Sequence, residues 1–100
     1  MKKRFLKSKP VCKVTFDLPC AATASAHKVV LVGDFNDWDT GRTPMKKRKD
    51  GSFSVTLDLD CQCEYQFRYL IDDEHWENDW AADRYIPSPV FDGDNSLVKV

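Results

Sequence analysis

One hundred residues, 42% apolar and 31% charged, are expected to form one hydrophobic core without room for a separate catalytic domain. A formal net charge of -1 and a pI of about 6.1 give no global attraction to nucleic acid or to an anionic membrane surface. No run approaches the roughly 20 apolar residues needed to cross a bilayer, and Met1-Lys2-Lys3-Arg4 is not followed by an apolar stretch, so a cytoplasmic protein is expected.

The first ten residues carry Lys2, Lys3, Arg4, Lys7 and Lys9, show no period, and close at Pro10; they read as a basic, partly ordered arm. From residue 11 the pattern changes. Cys12, Val14, Phe16 and Leu18 alternate with Lys13, Thr15 and Asp17, the period of a half-buried strand that Pro19 ends. Residues 21–26 allow one helical turn. Lys28 to Val32 is a continuous β-branched and leucine run, expected to be a central strand buried on both faces, and a polar loop containing Trp38 follows Gly33. Phe53, Val55, Leu57 and Leu59 alternate after the turn pair Asp50-Gly51, so residues 45–49 are expected to pair back as a hairpin arm. Tyr65, Phe67, Tyr69 and Ile71 give a further strand, turned at Asp72-Asp73 into a short segment around His75 and Trp76. Residues 79–94 read as a long loop and residues 96–100 as a closing strand. About seven short strands and no sustained helical period predict an antiparallel all-β sandwich.

Three tryptophans, all in loops or at hairpin ends, exceed what a small core ordinarily uses. Trp38 lies between Asp37 and Asp39, and Trp76 between His75 and Glu77. A pyranose ring offers a face of C–H groups that stacks on an aromatic ring and a rim of hydroxyls that needs hydrogen-bond partners. Gln66 and Arg68 alternate outward on their strand and are placed to supply them. A single loop tryptophan as often covers the end of a core as it touches a ligand; the pair carries more weight.

The ordered series Gly33-Asp34-Phe35-Asn36-Asp37-Trp38-Asp39, Pro44-Met45, Asp50-Gly51-Ser52-Phe53, Tyr65-Gln66-Phe67-Arg68-Tyr69-Leu70-Ile71-Asp72 and Asn95-Ser96-Leu97-Val98 resembles carbohydrate-binding module family 48. That family includes the early-set domains of isoamylases and branching enzymes and the glycogen-binding domain of the AMP-activated kinase β subunit. The resemblance covers roughly residues 11–100, and the chain looks most like the small standalone members. It implies an immunoglobulin-like early-set sandwich over 11–100 and non-catalytic binding of an α-1,4-linked glucan, with a glycogen-metabolism enzyme as an associated partner. By the same resemblance, Trp38 and Trp76 stack on successive glucoses and Arg68 hydrogen-bonds their hydroxyls. The polar residue before the last strand falls on Asn95 or Ser96, and the apolar loop residue that enters the turn of the glucan falls near Phe91.

Rival chemistries are weaker. Lys46-Lys47-Arg48-Lys49 reads as a solvated hairpin tip, so no nucleic acid is expected. Asp72, Asp73, Glu74, Glu77 and Asp79 cluster on one turn instead of flanking a cleft, so no catalysis is expected. Cys61-Gln62-Cys63 is too tight for a zinc knuckle, and Asp92-Gly93-Asp94-Asn95 lacks the spaced oxygens of a calcium loop, so neither a metal nor a cofactor is expected. The four cysteines, Cys12, Cys20, Cys61 and Cys63, are expected as free thiols in a reducing compartment. The serious alternative is a docking module that binds no sugar. A glucan binder presents both rings on one face with Arg68 beside them, whereas a docking module is free to bury one or splay them apart.

Overall fold

The computed structural model describes residues 1–23, 25–89 and 93–100. Among these, nine strands form two sheets packed face to face. One is β1 (Lys2–Phe5), β2 (Val11–Leu18), β5 (Phe53–Asp60) and β4 (Lys46–Lys47), in that order; the other is β3 (Val29–Gly33), β6 (Glu64–Ile71), β9 (Asp94–Lys99) and β8 (Arg84–Pro87), with β7 (His75–Glu77) paired to β6. Every pairing is antiparallel. A single helical turn, α1 (Cys20–Thr23), follows β2.

The core lies where the alternation placed it. Cys12, Val14, Phe16 and Leu18 of β2 face Val29 and Leu31 of β3 and Phe67 and Tyr69 of β6 across the sandwich. Phe16 and Phe67 meet edge to face at 5.0 Å; both are fully buried, and burial of each contributes about 1.5–3 kcal/mol. Tyr69 reaches through the core to donate its hydroxyl to the buried carboxylate of Asp79 at 2.7 Å. Burial, and then the Asp79 charge, push the Tyr69 hydroxyl far above its ordinary pKa, so it stays a donor.

Three segments differ from the sequence expectation. The basic segment, which shows no strand period, contributes a strand: Lys2–Phe5 pairs with β2 from Lys2↔Thr15 to Phe5↔Cys12, because β2 presents a free backbone edge that needs partners whatever the side chains beside it. The long loop contains β8, which completes the second sheet against β9. And β3 is not central. It stands at the end of its sheet, and among the described residues its outer edge meets residues 43–45, through Leu31 N–H to Thr43 O, Met45 N–H to Val29 O and a bridge from Val30 to Pro44.

Gly33 closes β3 where the chain runs hard against β6. A Cβ there would sit 2.6 Å from the Gln66 carbonyl oxygen and 2.7 Å from the Phe67 Cβ, both fixed by the sheet. Gly33→Ala is expected to destabilise the protein by about 1–3 kcal/mol, read as a lower urea midpoint with an unchanged m-value.

Candidate functional site

The outward face of the second sheet is set by the same alternation that builds the core. With Phe67 and Tyr69 inward, β6 turns Gln66, Arg68 and Leu70 outward; β3 likewise turns Val30 and Val32 outward. Register brings them into rows: Val30, Leu70 and Trp76 lie side by side across β3, β6 and β7, and Val32 lies beside Arg68. Val30, Val32 and Leu70 are buried, although nothing from the other sheet reaches this side. Trp38 and Trp76, both half-buried, pack against them. The continuous apolar run of β3 is therefore covered on one face by the core and on the other by two indoles.

The loop after β3 is built to hold Trp38 there. Residues Asp34–Asn36 make a short 3-10 turn, after which Asp37 and Trp38 both take left-handed backbone conformations, at φ 57° and 56°. For an aromatic residue that geometry is uncommon and costs on the order of 1–3 kcal/mol, so the surroundings must impose it. Trp38 N–H donates to Gly33 O at 2.9 Å and Asp39 N–H to Asn36 O at 3.1 Å. The buried Asn36 side chain accepts from Gly33 N–H and donates to Leu31 O and the Thr43 hydroxyl. Phe35 packs into the core beside Phe16 and Tyr65. Asp34 does two things: one oxygen accepts the Trp38 indole N–H at 2.9 Å, the other the Gln66 backbone N–H at 2.7 Å. The ring is thereby tied to β6, the strand it lies over.

Beside the indoles runs a polar ladder. Arg68 Nε donates to Asn95 Oδ1 at 2.7 Å, and Asn95 Nδ2 donates to Gln66 Oε1 at 3.1 Å. Arg68 and Asn95 are almost fully buried, 6% and 4% exposed, while Gln66 is half-buried. Of the two positions that the resemblance left open, Asn95 belongs to this face. Ser96 is fully buried and points inward, where its hydroxyl accepts from Asp79 N–H and donates to Asn78 Oδ1. Phe91 lies outside the described residues. Trp80, 57% exposed, is not part of the platform.

The acidic turn after β6 does structural work. Asp72 and Asp73 both adopt positive φ, which short polar side chains tolerate, and Glu74 N–H closes the turn on Ile71 O. Asp72 Oδ1 accepts the backbone N–H groups of His27 and Lys28, each at 2.8 Å; these two bonds, His27 first, hold its carboxyl below the usual pKa.

Residues 22–86 match the family model of carbohydrate-binding module 48, the isoamylase N-terminal domain. The chain belongs to that family. A segment of 56 residues is 45% identical to the 1,4-alpha-glucan branching enzyme GlgB of Aquifex aeolicus (strain VF5), covering 54% of this chain and 9% of that enzyme. As a module 48 domain, the chain uses its Gly-Asp-Phe-Asn-Asp-Trp series mostly for construction: Gly33 allows the close approach, Phe35 anchors, Asn36 and Asp34 fasten, and Trp38 alone is laid on the outward face.

Asp34→Ala removes the acceptor of the indole N–H and leaves Gln66 N–H without its partner. The expected outcome is a loss of about 1–3 kcal/mol in stability, with a Trp38 fluorescence change that persists below the unfolding transition.

Proposed function

We propose that the chain is a non-catalytic module that holds an α-1,4-linked glucan across the outward face of the second sheet, with Trp38 and Trp76 as the stacking rings. The observation that carries this reading is that both indoles rest on the one platform of Val30, Val32 and Leu70 beside the ladder of Gln66, Asn95 and Arg68. Rings fixed from below lose little rotamer freedom when a sugar stacks on them, which favours binding. At the outer end of the ladder the half-buried Gln66 amide lies at the rim, where the hydroxyls of a stacked glucose need partners. Arg68 is too buried to act as a free donor, so its first role is to position Asn95 and Gln66. A neutral polymer is indifferent to the acids around the face, Asp37, Asp39, Asp73 and Glu74, which would repel an anionic one. Similarity to an enzyme that builds branches on 1,4-alpha-glucan supports this ligand class. One role of such a module is to bring a glycogen-metabolising enzyme to its polymer.

A second reading, a docking module that binds no sugar, is favoured by one fact: the matching relative is far longer than this chain, which covers 9% of it. Titration with maltoheptaose or β-cyclodextrin, followed by tryptophan fluorescence, separates the two. Saturable change is expected, weakened by about 1–3 kcal/mol in Trp38→Ala and in Trp76→Ala, and unaltered in Trp80→Ala. A wild-type protein that shows no saturable change refutes the glucan reading.

A further inference from the structure

The net charge of -1 hides a sharp division. Residues 1–18 and 46–60, which build the first sheet and its turns, carry ten Lys and Arg against four Asp and Glu; the rest of the chain carries five against twelve. The sandwich is thus basic on one side and acidic on the other.

On the basic side the pleat turns Lys13 and Thr15 of β2 outward. Register sets Lys2, Thr15 and Thr56 in one row and Arg4, Lys13 and Asp58 in the next. The two threonine hydroxyls share a hydrogen bond of 2.9 Å at the floor of a concavity of about 370 Å³, lined also by Lys2, Lys3, Arg4 and Lys13. Arg4 stands directly opposite Lys13, a like-charge pair that disfavours the sheet. Lys13 is paired with Asp58 only across an exposed contact of 2.9 Å, and Lys2 and Arg4 form no ion pair among the described residues. At the opposite edge, exposed Lys46 and Lys49 extend the charge.

Lysines on edge strands ordinarily prevent sheets from adding to one another. That explains Lys2 to Arg4 on β1 and Lys46 on β4. It does not explain Lys13 in the interior of the sheet, facing Arg4, nor the concentration of acids on the other half. We infer that the outward face of the first sheet is a docking surface for an acidic polypeptide surface of a partner protein. From β1 to β4 the cations span three strand spacings, about 14 Å, wide enough to meet several carboxylates and too wide for one phosphate. The face lies on the other side of the sandwich from the indoles, so the partner and a ligand on Trp38 and Trp76 do not compete. The molecule's own polarity orients the encounter, because its acidic half repels the same partner.

The test is an NMR titration of the 15N-labelled chain with poly-L-glutamate at low ionic strength. Saturable shifts are expected at the amides of Lys2, Lys3, Arg4, Lys13, Thr15 and Thr56, fading as salt is raised. They should be indifferent to saturating maltoheptaose, which reports on other residues. Arg4→Glu with Lys13→Glu should weaken binding at least tenfold, and the milder pair Arg4→Gln with Lys13→Gln severalfold. Lys28→Glu, on the acidic half, should change it less than twofold. Three results would overturn the inference: Lys28→Glu matching the double variant, which means diffuse charge; inorganic phosphate giving the same shifts as tightly, which means a small-anion site; or concentration-dependent sedimentation with these shifts in the protein alone, which means a second copy.

Discussion

The Asp34 carboxylate joins two parts of the molecule that would otherwise be independent. One oxygen holds the indole N–H of Trp38 and the other the backbone N–H of Gln66, so the loop ring and the strand beneath it move as one. The rest of the outward face depends on that tie. Without it, a tryptophan held in a left-handed conformation just after the 3-10 turn keeps only backbone bonds, and its ring is released from β6. Val30 and Val32 would then lose their cover. Presentation of the aromatic surface and burial of the platform are therefore one event.

The division of labour within the loop explains why so many of its residues are specified when so few face outward. Asn36 satisfies backbone groups on both sides of the turn, Phe35 fixes the turn to the core, and Gly33 permits the approach to β6. All of that serves the position of one ring. On the other side of the platform, Trp76 is delivered by a tight hairpin whose Asp72 and Asp73 take the positive φ values.

Much of this was legible in the sequence, and the exceptions have physical causes. The period-two runs of residues 12–18, 53–59 and 65–71 are strands because each has one wet face and one dry face, and the pattern records it. Residues 28–32 look central because both faces are apolar; both are indeed buried, but the outer cover comes from Trp38 and Trp76, thirty-eight positions apart in the chain. No local pattern announces that. The segment at residues 84–87 is short, ends in proline and lies at an edge, so it lacks the alternation that marks a strand packed on a core. Arg68 and the choice between Asn95 and Ser96 turned on which way one strand's pleat points. Phe67 facing the core fixes the outward side of β6, and the pairing of β6 with β9 then sends Asn95 out and Ser96 in. The roles of Asp34 and Asn36 were contained in the motif but not readable from it, since their partners are backbone atoms placed by the fold.

We propose that Trp38 and Trp76 act together on one face, and that Trp80 takes no part. Each tryptophan contributes one indole N–H signal to a proton–nitrogen correlation spectrum. On titration with maltoheptaose, the signals of Trp38 and Trp76 are expected to move and saturate together, while that of Trp80 stays in place. Movement of Trp80 alone, or no movement of any of the three, would contradict it.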